Sequence, residues 1–237
     1  LSISGPNTTL NAIVANTLKQ FADELEKAKD FENSLHKLIR REITEHWKII
    51  FNGNGYDASW VEEAQQRGLL NLKTLPDAMA EYLNPKNIKL FTDMGVYTQI
   101  EMESHYDIKL EKYCQVLNIE VETMLEMINK DILPAVFKYM NAISDTVIKV
   151  KQAFPEAECS AEKILLQNLD YHVNNLSKKA DESWIKHDEA NKLTNIMECA
   201  KAYANDILPA MEEARYFADE MEPLLGEEYK PFPSYED

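Results

Sequence analysis

Residues 106–150 read YDIKL EKYCQVLNIE VETMLEMINK DILPAVFKYM NAISDTVIKV. An apolar seam runs through them: Tyr106, Leu110, Tyr113, Leu117, Val121, Met124, Ile128, Ile132, Val136, Tyr139, Ile143, Val147 and Val150. The seam covers 44 residues in twelve steps, about 3.7 residues per step. That period is near the 3.6 of a straight α-helix and above the 3.5 of a left-handed coiled coil. It predicts a long helix packed in a bundle. Thr98 and Glu101 have capping-box spacing at its start, and Pro155 ends it.

The same periodicity continues downstream. Ser160 is the expected cap of a second long helix, with Leu165, Leu169, His172, Leu176, Ala180 and Trp184 on one face. A third is expected from about Asp188, carrying Leu193, Ile196, Ala200, Ala204, Ile207, Met211, Ala214, Ala218 and Met221, with Pro223 and Gly226 as its stop. No glycine occurs between Val96 and Leu225. Folds rich in strands need frequent turn glycines, whereas long helices do not.

Upstream, Asn7 or Thr8 is the expected cap of a helix running to about Lys29, with Leu10, Ile13 or Val14, Leu18, Phe21 and Leu25 as its apolar positions. Asp30 caps a second helix with Leu35, Leu38, Ile39 and Ile43 on one face and Trp47 near its end. The next stretch, residues 49–97, reads as short helices and loops with room for one short strand. Asn52-Gly53-Asn54-Gly55 turns the chain, Ser59 and Glu62 have capping-box spacing, and Gly68 and Gly95 are stops. Pro76 and Pro85 each fit the first turn of a short helix, the second behind Asn84.

The expected fold is therefore all-α. Three long antiparallel helices form a bundle with kinks at Pro134 and Pro209, joined to N-terminal helices and a region of short helices and loops. The expected divisions are 1–48, 49–97, 98–223 and an extended tail, 224–237, whose Pro231-Phe232-Pro233-Ser234-Tyr235 run cannot be helical. Both prolines lie in a repeated segment, Asp131-Ile132-Leu133-Pro134-Ala135 and Asp206-Ile207-Leu208-Pro209-Ala210. Two kinked helices bending around a shared core would account for the repeat, and so would a duplication or a paired site.

Composition narrows the function. The chain has 237 residues, 25 Lys plus Arg against 41 Asp plus Glu, and a formal charge of −16. Nucleic acids and anionic membranes call for a basic face, and this chain has none of any size. Its one basic cluster, Lys37, Arg40 and Arg41, is followed by Glu42 and Glu45. Three widely spaced cysteines, Cys114, Cys159 and Cys199, fit a reducing cytoplasm better than a disulfide framework. No apolar run approaches the roughly 18 residues of a membrane span. The start at Leu1, without methionine, reads as a boundary cut from a longer protein.

No motif assembles an active site. A di-iron bundle needs Glu-x-x-His on two helices, and the residues three before the five histidines are Asn33, Ile43, Met102, Leu169 and Trp184. Glu42 with His46 and Glu101 with His105 share helical i,i+4 spacing, which suits surface contacts. His172, on an apolar face, reads as a buried histidine bonded to a neighbour. Cys114 lies in acidic sequence, which disfavours a thiolate. Asn52–Gly55 resembles a phosphate nest only faintly, because no Lys-Ser or Lys-Thr follows and Asp57 and Glu62 would repel phosphate. Catalytic, cofactor-binding and metal residues are therefore expected to be none.

Several segments together resemble type III glutamine synthetase. They are Ser2-Ile3-Ser4-Gly5-Pro6-Asn7-Thr8 with Leu10-Asn11, and Gln20-Phe21-Ala22-Asp23-Glu24-Leu25-Glu26-Lys27. Ile50-Phe51-Asn52-Gly53-Asn54-Gly55-Tyr56 follows, with Trp60-Val61-Glu62-Glu63-Ala64, Arg67-Gly68-Leu69 and Asn71-Leu72-Lys73-Thr74. Leu110-Glu111-Lys112-Tyr113, Asn118-Ile119-Glu120, the first Asp-Ile-Leu-Pro-Ala segment and the run from Ala218-Asp219-Glu220 to the Pro231–Tyr235 tail continue it. Lys230 stands where the family often has tryptophan. The resemblance implies a parent enzyme that ligates ammonia to glutamate with ATP and Mg or Mn, built as a ring homo-oligomer. It also implies that the family's catalytic, nucleotide and metal residues lie upstream of Leu1. The first helix would then close the catalytic domain and the rest would be a C-terminal helical extension. Its partners would be the remainder of the synthetase chain and neighbouring subunits, with no nucleic acid, no membrane and no cofactor of its own. The alternative is a regulatory or protein-binding helical bundle that uses its acidic surface or residues 49–97.

Overall fold

The computed structural model describes residues 3–233. Ser2, Ser234 and Tyr235, named above, lie outside them. The chain divides into two compact units between Ile108 and Lys109.

Unit 1 contains helices α1 (Ser4–Leu25), α2 (Phe31–Glu45), α3 (Ala58–Gln66), α4 (Leu75–Tyr82) and α5 (Pro85–Asp93). It also holds the first residues of α6 (Gln99–Met127). Local sequence sets most boundaries. Asp30 accepts the Asn33 N–H ahead of α2, Thr74 accepts the Asp77 N–H ahead of α4 with Pro76 in its first turn, and Asn84 accepts the Lys86 N–H ahead of Pro85. Thr98 and Glu101 close a reciprocal box, with Thr98 N–H donating to Glu101 Oε2 at 2.8 Å.

Helices α3 and α5 end the same way. Gly68 has φ +72° and Gly95 φ +64°, the left-handed backbone a helix needs to turn back on itself. Leu69 N–H then reaches Ala64 O, and Val96 N–H reaches Phe91 O, both at 2.9 Å.

Two helix starts and one possible strand differ from expectation. Helix α1 begins at Ser4 with no side-chain cap, so Pro6 lies inside its first turn, where a missing N–H costs nothing. Asp57, two residues before Ser59, caps α3. Ile49–Phe51 forms no strand: Trp47–Ile49 is a 3₁₀ turn, and no strand occurs among the described residues.

The core of unit 1 is small. Ala12, Phe91 and Met102 are buried, with Tyr82, Leu83, Ile88, Val96 and Tyr97 packed on them. A second anchor holds the loop after α2. Arg67 donates to the carbonyls of Lys48 and Ile50, pairs with Glu63 and lies 5.4 Å from the Trp60 ring, which stacks on Phe51 at 4.1 Å.

Unit 2 is a bundle of the rest of α6 with α7 (Leu133–Ala153), α8 (Ser160–Ala190), α9 (Ile196–Ala202) and α10 (Leu208–Met221). Helix α6 runs into α7 without a break, a rod of 55 residues from Gln99 to Ala153. All thirteen seam positions are buried or half-buried, with Leu110, Val121 and Val136 fully so.

The repeated segment has the same structure twice. A π-helical turn, Ile128–Ile132 or Tyr203–Ile207, ends two residues before Pro134 or Pro209. Leu133 N–H donates to Ile128 O, and Leu208 N–H to Tyr203 O. A helical proline lacks a donor and crowds the carbonyl four residues back. The widened turn ahead of each proline relieves that crowding, so both helices continue through it.

Two expectations in the bundle are corrected. The third long helix starts at Ile196, because Asn195 Oδ1 accepts the N–H groups of Met197 and Glu198, while Asp188 belongs to α8. Helix α8 begins after Cys159, at φ +49°, with Ser160 its first residue.

The buried face of α8 also differs. It runs Leu169, Val173, Leu176, Ala180, Ser183, His187, Ala190, a 3.5-residue repeat that leaves Trp184 outside at 54% exposure. Lys179 bridges Glu182 on α8 and Glu213 on α10, at 2.8 and 2.7 Å. The segment after α10 is not uniformly extended: Glu222–Leu224 and Glu227–Tyr229 are 3₁₀ turns, and Tyr229 packs on Tyr139 of α7.

Candidate functional site

The register of α8 carries two polar residues, Ser183 and His187, into the interior of unit 2. Ser183 Oγ is satisfied within its own helix by the Lys179 carbonyl at 2.8 Å. His187 opens a junction between helices. Its Nε2 lies 2.8 Å from Asn118 Oδ1 on α6, to which it donates in the Nε2–H tautomer, and 3.1 Å from Asn191 Nδ2, from which it accepts in the other. Asn191 Nδ2 donates to the same oxygen at 3.3 Å, and the Tyr203 hydroxyl donates to Asn191 Oδ1 at 3.0 Å. Asn118 Oδ1 is thus the shared acceptor of α6 for groups on and just beyond α8, and Tyr203 extends the network to the second π-turn. His187 Nδ1 is buried with no hydrogen-bond partner.

The junction is built for holding, not for proton transfer. Burial, reinforced by Cys199, Cys114 and Glu122, pushes the Tyr203 hydroxyl up to about 12. Burial and the neighbouring Cys199 thiol push Cys114 up to about 12 as well. At pH 8 such a thiol is about one part in ten thousand thiolate. Iodoacetamide at pH 8 is therefore expected to alkylate half-exposed Cys159 first and Cys114 at least a hundredfold more slowly, as read by peptide mass spectrometry. Labelling of all three at one rate would show that unit 2 opens on the timescale of the reaction.

A second feature of unit 2 is a groove of about 650 Å³ between α6 and α10, walled on one side by residues 230–233. Its floor is apolar and rich in methionine: Met124, Met127, Met211 and Met221 line it. The first π-turn borders it through Ile128 and Ile132, and Leu208, the first residue of α10, lines the opposite wall.

The histidines and acids singled out by spacing do other things. Glu42 and His46 do touch, at 3.4 Å, and with Glu45 they form the one cluster of three ligand-type residues among those described. It lies on the surface, and Arg41 already engages Glu42 at 2.9 Å. Glu101 is committed to the Thr98 cap, which holds its carboxyl below the usual range, while His105 meets the edge of Tyr97 at 5.0 Å. His172 is half-buried against Tyr171 and Phe217, and its buried Nδ1 has no hydrogen-bond partner. The buried, hydrogen-bonded histidine of this chain is His187. In the Asn52–Gly55 turn, Asn54 Oδ1 accepts the Tyr56 N–H and Asp57 caps α3. Neither the turn nor the surface cluster fits ATP with its divalent cations, because Asp57 beside the one would repel phosphate and Arg41 already engages Glu42 in the other.

Residues 34–151 match the family described as glutamine synthetase C-terminal domain. The chain belongs to this family. It is 34% identical to a glutamine synthetase of Butyrivibrio fibrisolvens, over 87% of this chain and 29% of that one. It is 27% identical to the type-3 glutamine synthetase of Dictyostelium discoideum, over 98% and 33%. A glutamine synthetase of Bacteroides fragilis is 25% identical, over 95% and 32%. The chain thus spans about a third of the length of these glutamine synthetases. The family match covers α2 to α7.

Proposed function

We propose that this chain is the C-terminal helical domain of a type III glutamine synthetase, and that it serves assembly and contributes no catalytic residue. One observation carries the reading. The apolar stripe of α1 predicted from sequence is half-buried at Phe21 and Leu25 but open at its other positions among the described residues: Leu10 is 61% exposed, Leu18 60%, Val14 56% and Ile13 45%. Burying four such side chains is worth about 1.5–3 kcal/mol each, a contribution a helix does not leave in water without a partner. The partner is the remainder of the synthetase chain, with neighbouring subunits of a homo-oligomer beyond it. In this reading residues 1–48 close the catalytic domain, and 49–97, 98–223 and 224–237 form the extension.

The parent reaction, ATP-dependent ligation of ammonia to glutamate with Mg or Mn, belongs to the upstream part of the synthetase, in the cytoplasm. Among the described residues no helix is long and apolar enough to cross a membrane. The purified 237-residue chain is expected to form no glutamine from glutamate, ammonia and ATP with either metal. Turnover by the chain alone would overturn the assignment.

A further inference from the structure

The groove of unit 2 has a length, a lining and a charge that specify an occupant. It follows Ile119 to Ile132 on one wall and Leu208 to Glu222 on the other. Each wall is about 20 Å long at 1.5 Å per residue, which accommodates a helix of about thirteen residues. Methionine side chains are flexible and polarisable, and adapt to apolar anchors of varied shape.

The rim is acidic. Glu120, Glu212, Asp219 and Glu222 face two cations, Arg215 and Lys230. Both cations are engaged by acids, Arg215 with Asp219 at 3.2 Å and Lys230 with Glu227 at 2.7 Å. An apolar floor between rim carboxylates attracts an apolar face flanked by positive charge.

We propose that this groove docks a basic amphipathic helix of a partner protein. The site uses unit 2 residues only, so it stands or falls independently of the α1 interface.

The probe is a fluorescein-labelled 14-residue peptide of leucine and lysine, with leucines repeating every three or four residues. It is titrated into the 237-residue chain by fluorescence anisotropy. A scrambled peptide of the same composition controls for the chain's overall charge of −16. The patterned peptide is expected to bind saturably and at least tenfold tighter than the scramble. Glu120→Lys with Glu212→Lys should weaken it at least tenfold, and Met127→Lys should do the same through the floor. All three positions are exposed, so the helix content of these variants should match the parent by circular dichroism. Equal affinity for the two peptides, no saturable binding, or indifference to these substitutions would overturn the proposal. So would binding that appears only after residues 234–237 are removed, since the groove would then belong to the chain's own end.

Discussion

Asn118→Leu is expected to destabilise unit 2 by about 1–3 kcal/mol. The substitution removes the oxygen of α6 that lies against His187 Nε2 and accepts from the Asn191 amide. His187 is 2% exposed and Tyr203 1%, so water cannot replace the lost partner. A buried polar group left without its partner costs about 1–3 kcal/mol, whereas exposed Asn191 keeps access to water. Tyr203→Phe, which removes a single hydroxyl, should cost only about 1 kcal/mol. Urea unfolding followed by circular dichroism measures both. A loss below 1 kcal/mol for Asn118→Leu would mean the junction does not hold the helices together.

Leu10→Glu with Leu18→Glu is expected to act in opposite ways on two preparations. In the isolated chain both side chains face solvent, and the change should stay within about 0.5 kcal/mol. In the complete synthetase the same carboxylates would be forced against the surface that α1 is proposed to cover. A carboxylate buried without a partner costs several kcal/mol. Glutamine formation should fall more than tenfold, with a loss of assembled particles by size-exclusion chromatography. Equal tolerance in both preparations would leave the α1 stripe without a partner.

The bundle was legible because its signal is redundant. Thirteen seam positions at one helical period leave little room for another fold, and every one is buried or half-buried. The α8 face was misread at Trp184 because hydropathy ranks residue types, whereas packing selects positions. The 3.5-residue repeat continues through Ala180, Ser183 and His187, which are small or polar. The end of α8 was missed for a related reason: Asn191–Asn195 contains neither Pro nor Gly, and only the Asn195 cap marks the restart.

The junction was beyond reach of any spacing rule. Asn118 is 69 residues from His187 and 73 from Asn191 and meets them only when the helices pack. The repeated Asp-Ile-Leu-Pro-Ala segment was visible as a repeat, and proline predicted an irregular helix. That the irregularity is a π-turn, placed identically in both copies, depends on backbone hydrogen bonds that five residues do not encode alone. The exposed stripe of α1 looked like any core-facing stripe, because periodicity reports that a face must be covered and not which chain covers it.

The claim that this domain serves assembly is tested most directly by the particle mass of the complete synthetase with and without residues 34–237, measured by mass photometry. Loss of the intact oligomer on deletion is the predicted result. An unchanged particle mass with unchanged glutamine formation would contradict it.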